Sequence, residues 1–417
     1  MDIDAYRKYG VSDKAASLAQ KAEEAVLPVY GKIDEITEYN QLKVLNAFRE
    51  ARFSEVHLGG TTGYGYDDIG REKIEEIFAR VFGAQKAYVR MQISSGTQAI
   101  SSMLYGLLRP GDTMLSVTGR PYDTLASTIG LSEETYDGSL INFGISYEEV
   151  DLKDNGDPDL DAIRSKITDS TKLVFIQKSR GYTGRRSLRV SDIEAVADLC
   201  HSIRKDIIVA VDNCYGEFTE TREPCEVGAD ICAGSLIKNP GGGICKTGAY
   251  IAGREDLVEK VACRITAPGL GSHVGPSLGF NRDIAQGLFM APHIVAECLK
   301  GAVFASAMFE LAGIKTSPSY TEDRGDIVQT VIFEQPDKLV DFCTRIQNCS
   351  PVDSFVTPEP WDMPGYDDQV VMAAGAFTQG ATTELSCDGP IKPPYIAYLQ
   401  GGLAREQAKL AVMLSLS

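Results

Sequence analysis

DIIVAVDNCY (206–215) is followed 26 residues after its second aspartate by a lysine, in GSLIKNPGGG (234–243). Ile207 to Val211 are all apolar, so both faces of this strand are buried, as in a parallel sheet covered by helices. Asp212 then stands at the carboxyl end of the strand, where open α/β sheets bind ligands. A carboxylate there is costly unless a cation or donor faces it. Lys238 follows a second strand of small and apolar residues and precedes Pro240 and three glycines. Lysine is seldom buried without a function. A desolvated lysine is expected to lose proton affinity and to attack an aldehyde as an amine.

The surrounding chain repeats this strand–helix alternation. Buried strands are predicted at 87–93, 113–118, 172–178, 206–212, 230–236 and 247–253, with helices between several of them. Ser191 and Glu194 have the spacing of a capping box for one helix, and Asp67 or Asp68 can cap another over 71–82. The first fifty residues read as two helices, 15–27 and 33–48, with Pro28 stopping the first. From about residue 290 the texture changes to a long helix (294–313), DIVQTVIF (326–333), a helix (336–347), QVVMAAG (369–375) and a terminal helix after Gly402. The expected organisation is an N-terminal helical segment (1–55), a large domain with a mostly parallel sheet (56–290) and a smaller C-terminal α+β domain (291–417).

Composition narrows the function. The 417 residues carry a net charge of −17, which disfavours nucleic acid and anionic lipid as partners. No apolar run is long enough to span a bilayer, and no secretory signal is visible. The ten cysteines include no C-x-x-C, so a reduced, cytoplasmic chain without a metal site is expected. Several motifs fail on counting. GGGICKTG has Cys245 where a phosphate-binding loop needs glycine, and DLKDNGDPDLDA (151–162) lacks calcium-ligand carboxylates at Lys153 and Ala162. No G-x-S-x-G surrounds Ser139 or Ser235.

A third feature joins Asp212 and Lys238. Ser94-Ser95-Gly96-Thr97 follows strand 87–93 and opens a helix. By itself this is a helix cap; its backbone N–H groups and hydroxyls also suit a phosphate. A phosphate cradle, an aspartate for a pyridinium nitrogen and a Schiff-base lysine together describe a pyridoxal 5′-phosphate site.

On these residues the chain resembles fold-type I pyridoxal-phosphate enzymes of the cystathionine/methionine lyase group. It looks most like the methionine γ-lyase-related, aluminium-resistance branch. The resemblance covers about residues 55–405. SSGTQAI resembles the family's phosphate loop, placing Ser95, Gly96 and Thr97 at the cofactor. Pro121-Tyr122 resembles the segment whose tyrosine stacks on the pyridine ring. VAVDNCY and GSLIKNPGGG resemble the aspartate strand and the lysine motif, with Ser235 a further phosphate ligand. GYGYDDIG resembles the tyrosine segment that reaches a neighbouring subunit's cofactor, which implies a homodimer or homotetramer with shared sites and roles for Tyr64 and Tyr66.

Two departures stand out. Tyr66 occupies the place of a phosphate-binding arginine. In AYLQGGL (397–403), Tyr398 occupies the place of the arginine for the substrate carboxylate, so Arg324, Arg180 and Lys178 become candidates for that task. The implied activity is carbon–sulfur lysis of a sulfur amino acid, of the methionine γ-lyase or cystathionine β-lyase kind. Lys238 would move the Cα proton, and Tyr64 or Tyr122 would be the acid near the leaving group. The alternatives are another pyridoxal-phosphate reaction, such as transamination, and a non-catalytic stress-related binding protein.

Overall fold

A computed structural model describes residues 2–132, 137–363, 366 and 368–417. Its first sheet has seven strands: β1 (Lys86–Arg90), β2 (Thr113–Ser116), β3 (Ser146–Glu149), β4 (Thr171–Gln177), β5 (Ile208–Asp212), β6 (Ile231–Ser235) and β7 (Ala249–Gly253). They lie in the order β1-β7-β6-β5-β4-β2-β3. Strands β2 to β6 run parallel, and β7 runs against β6 and β1. The mostly parallel sheet expected from the apolar strands is therefore present. The short edge strand β3, with its polar sequence SYEE, carries no apolar signal and is an addition.

The period of two along each strand explains the covering helices. Leu173, Phe175, Ile208 and Ala210 point to one face, with Met103 and Leu104 of α4 (Gly96–Leu107) in the same apolar cluster. Val174, Ile176, Val209 and Val211 point to the other, clustering with Ile77 of α3 (Ile69–Val81) and Ile193 of α7 (Val190–Ile203). The remaining helices before residue 280 are α1 (Ile3–Arg7), α2 (Asp13–Glu50), α5 (Asp123–Ile129), α6 (Leu160–Lys166) and α8 (Glu255–Ile265). Asp68 caps α3, accepting from the Arg71 N–H at 2.9 Å.

Three local expectations change. Helix α2 is continuous through Pro28. Its Ala15, Ala19, Ala22, Val26 and Ile33 are buried in the same core as Val295, Leu299 and Val303 of α9 (Asn281–Leu311), which outweighs one missing backbone donor. Tyr30 of α2 also donates to the Lys300 carbonyl at 3.0 Å. Helix α9 itself starts well before residue 294, because Pro292 is accommodated inside it. Helix α7 is capped two residues upstream of the expected box: the Asp192 carboxylate accepts from the Arg189 N–H at 2.7 Å.

A second, antiparallel sheet follows α9: β8 (Lys315–Ser317), β9 (Gln329–Ile332), β10 (Val370–Ala373), β11 (Ser386–Pro390) and β12 (Ile396–Gln400), in the order β10-β11-β12-β9-β8. Helices α10 (Pro336–Asn348) and α11 (Arg405–Ser415) complete this part. Among the described residues no helix is long and apolar enough to cross a membrane.

An aromatic knot ties α3 to the sheet. The Phe82 ring lies 4.6 Å from Tyr250 of β7 and 5.9 Å from both Phe78 and Phe218, and is fully buried. Phe82→Ala should lower unfolding stability by about 3–5 kcal/mol. Chemical denaturation should show this as a lower midpoint with an unchanged slope.

Candidate active site

The carboxyl ends of β4, β5 and β6 open into a cavity of about 520 Å³ bordered on its far side by β10, β11 and β12. Strand β5 delivers Asp212 to its wall. The Asp212 carboxylate accepts from the Cys214 N–H at 3.1 Å and is almost fully buried. Burial raises this carboxyl above its ordinary value, while the Lys238 ammonium and the Cys214 contact pull it back.

Lys238 hangs from the loop after β6, and its ammonium sits 3.8 Å from the centre of the Tyr215 ring. Tyr215 holds φ at +71°, a left-handed conformation that costs a non-glycine residue about 1–3 kcal/mol. The strain presents the ring to the lysine. The expected loss of proton affinity is not found here. Burial does push the Lys238 amine down, but Tyr215, Cys214 and Asp212 more than offset it and hold the proton on. Of these three, Asp212 supplies the negative charge at neutral pH.

The opposite end of the cavity is the start of α4. Ser95 caps the helix, accepting from the Gln98 N–H at 3.0 Å. A Cβ on Gly96 would lie 3.1 Å from Cys214 Sγ and 3.5 Å from Ser235 Cβ, so only glycine leaves the helix start open beside Ser235. Ser95, Gly96, Thr97 and Ser235 line the cavity together with Asp212 and Lys238. Tyr122 lines it too; its hydroxyl donates to Thr97 Oγ1 at 3.4 Å, and its N–H donates to Gln177 Oε1 at 3.2 Å.

The three carboxylate-binding candidates separate. Arg180 lines the cavity and is buried; Nη1 donates to the Ser317 carbonyl at 2.9 Å, and Nε and Nη2 have no partner among the described residues. Lys178 is fully buried outside the cavity, donating to the Gly216 carbonyl at 3.0 Å and pairing with Glu220 at 3.5 Å. Arg324 is likewise outside, donating to Gln329 Oε1 at 2.6 Å. Tyr64 and Tyr66 do not line their own chain's cavity and are 74% and 54% exposed. Their loop is nonetheless rigid. Arg71 Nη1 donates to the Gly65 and Gly275 carbonyls at 2.6 and 2.7 Å, and a Cβ on Gly65 would strike the Pro276 backbone.

Sequence reasoning missed three groups. Asp388 on β11 lines the cavity; burial pushes its carboxyl up to about 7, with Tyr182 and Lys238 holding it down. Its strand, SCDGP, is too short and too rich in turn residues to read as a strand. Tyr182, in the loop after β4, packs its ring 5.0 Å from Tyr398. Glu217 lies behind the site, fully buried, with Oε1 accepting from the Tyr250 hydroxyl at 3.0 Å and its carbonyl accepting from Asn239 Nδ2 at 2.9 Å. It thereby ties the loop after Asp212 to the residue beside Lys238.

With that geometry in hand, similarity to known proteins becomes specific. A profile of the methionine gamma-lyase family matches residues 15–417. The solved structure of a carbon–sulfur lyase involved in aluminium resistance from Clostridium novyi NT is 51% identical, covers 99% of this chain and 97% of its own, and superposes with a TM-score of 0.95. The uncharacterised protein YnbB of Bacillus subtilis is 48% identical over 94% of both chains. A pyridoxal-5′-phosphate-dependent protein of Escherichia coli, YhfS, shares the fold at 18% identity, with a TM-score of 0.61 over 92% of this chain and 96% of its own.

Burial pushes the Glu217 carboxyl up to about 8, and Glu223 adds to the shift. Below the ordinary glutamate range, folded and unfolded chains both keep this proton. Between that range and about 8 only the folded chain keeps it, so stability falls as pH rises through the window. Glu217→Gln removes that loss. Its melting temperature relative to wild type should climb between about pH 5 and pH 8 and level off above. Parallel melting curves across this range would contradict the burial argument.

Proposed function

This chain belongs to the methionine gamma-lyase family, and we propose that it is a pyridoxal-phosphate-dependent carbon–sulfur lyase, releasing a thiol, ammonia and a 2-oxo acid from a sulfur amino acid. The observation that carries this reading is that one cavity gathers Asp212, Lys238, Ser235 and the open helix start at Ser95–Thr97. The residues fit the cofactor. The space that a Cβ on Gly96 would fill, beside the Ser235 hydroxyl, suits a phosphate at a helix N-terminus. The buried carboxylate suits a protonated ring nitrogen, and the buried amine suits an aldehyde.

When bound, pyridoxal phosphate supplies the electron sink that accepts the charge left at the substrate Cα. The protein does the rest. Asp212 holds the proton on the ring nitrogen. The Lys238 amine would take the proton from the substrate Cα. Arg180 offers its unpartnered Nε and Nη2 groups to the substrate carboxylate, replacing the arginine absent at Tyr398. Burial keeps the Tyr122 phenol protonated well above neutral pH, so it serves as the acid for the departing sulfur. Tyr64 and Tyr66, exposed on a pinned loop, serve the cavity of a second copy of the chain. Burying such rings on assembly recovers apolar area that a monomer leaves in water.

Thiol release should proceed without any added 2-oxo acid, which separates lysis from transamination. Lys238→Ala should reduce it by roughly 10²–10⁴-fold. Asp212→Asn should reduce it by about tenfold to a hundredfold, since an amide cannot hold the ring proton with a matching charge. Wild-type turnover in either variant would sink the assignment of that residue.

Subunit complementation checks the shared site. Mixing inactive Lys238→Ala and Tyr64→Phe proteins under subunit exchange should restore activity, because some mixed assemblies hold one site with both residues intact. No recovery despite proven exchange would return Tyr64 to its own chain's site.

A further inference from the structure

Two pairs of thiols meet away from the catalytic cavity. The sulfurs of Cys225 and Cys232 lie 3.7 Å apart, and those of Cys343 and Cys387 lie 3.8 Å apart. Neither pair lines the cavity. Their access to solvent differs. Cys343 and Cys387 are both buried, whereas Cys232 is buried and Cys225 is half-buried.

Local structure explains the close approach. Cys232 lies in β6, paired with Val211 of β5 on one side and Ala252 of β7 on the other, so two ladders hold its backbone. Cys225 lies in a single turn of 3₁₀ helix, Pro224–Val227. Gly228, with φ at +99°, reverses the chain after that turn, and the Ala229 N–H donates back to the Pro224 carbonyl at 3.1 Å. The reversal folds the turn onto the sheet, where Cys225 Sγ also lies 3.5 Å from the Ala252 carbonyl. A disulfide has its sulfurs about 2.05 Å apart, so these two must close by about 1.7 Å. A short surface turn gives way more readily than a strand paired on both edges.

We propose that Cys225 and Cys232 form a redox-modification site, which a hydroperoxide converts to a disulfide. The peroxide oxidises the accessible Cys225 thiol to a sulfenic acid, and one water leaves. The Cys232 sulfur then attacks the Cys225 sulfur. The S–O bond breaks, and the hydroxyl carries off the Cys232 proton as a second water. In all, the two thiols lose two electrons and two protons, which the peroxide takes up, and a reducing thiol reverses the change by exchange. Cys343 and Cys387 are as close to each other but sealed from solvent, so they stay reduced. The bridge ties the turn to the strand that leads into Ser235 and Lys238. The site stands apart from the lyase reading, and neither depends on the other.

The test treats the native holoenzyme with hydrogen peroxide, removes the oxidant, unfolds the protein in excess iodoacetamide and digests it with trypsin. No Lys or Arg lies between Cys225 and Cys232, so one peptide, 223–238, carries both thiols. This peptide should be lighter by two hydrogen atoms and take up no alkyl group, and dithiothreitol before alkylation should restore uptake at both thiols. The peptide 339–345, which carries Cys343, should remain fully alkylated. Cys232→Ser should leave Cys225 as a sulfenic acid captured by dimedone, and Cys225→Ser should leave Cys232 unoxidised. The wild-type peptide decides the matter even if either variant does not fold. Two alkylated thiols after peroxide overturn the proposal. So does oxidation of Cys225 to a sulfinic or sulfonic acid without a bridge, and so does a Cys343–Cys387 bridge that forms as fast as the other.

Discussion

A carboxylate and an ammonium buried in one cavity, Asp212 and Lys238, set the terms for everything around them. Each charge is expensive out of water, and each lowers the cost of the other. The parallel sheet makes the arrangement possible, because adjacent strands β5 and β6 end side by side and release their next residues at one rim. The backing is equally specific. Glu217, Tyr250, Asn213 and Asn239 form a buried hydrogen-bonded layer that joins the loop after β5 to the loop after β6. Strain at Tyr215 is tolerated in that setting, where the surrounding structure over-determines the backbone.

The second sheet supplies the far wall of the cavity that holds this charge pair. Strands β10 to β12 supply Asp388, Gln400 and Tyr398, while Arg180 reaches the same space from the end of β4. Arg180 is buried there, with two nitrogens unpartnered among the described residues. Tyr182 and Tyr398, with rings 5.0 Å apart, form the apolar seam between the two ends.

Away from the cavity, a second polar network holds an exposed loop. Tyr64 and Tyr66 stand in solvent, yet their loop is held by the buried Arg71 and by Asp68, whose carboxylate accepts from Thr61 Oγ1 at 2.5 Å and from Asn281 Nδ2 at 3.2 Å. Ordering a loop costs conformational entropy that isolated exposed rings do not return.

The sequence by itself determined the sheet, because apolar residues on both faces of 172–176 and 207–211 allow little else than a covered parallel strand. It also pointed to the cofactor, since Ser95–Thr97, Asp212 and Lys238 each follow a readable strand and together suit pyridoxal phosphate. Those signals are local, and local signals survive without coordinates. What only the tertiary structure decided were pairings between distant segments. Burial of one stripe of α2 against α9 overrode Pro28 as a stop. That Arg180 lines the cavity while Lys178 and Arg324 lie outside it is likewise something no spacing reveals. Asp388 lay in a strand too short for periodicity, and only the fold brings it to the cavity that Lys238, 150 residues earlier in the chain, also lines. Proton affinity went the same way: desolvation alone argued for a weakly basic Lys238, and the groups packed against it reversed the sign.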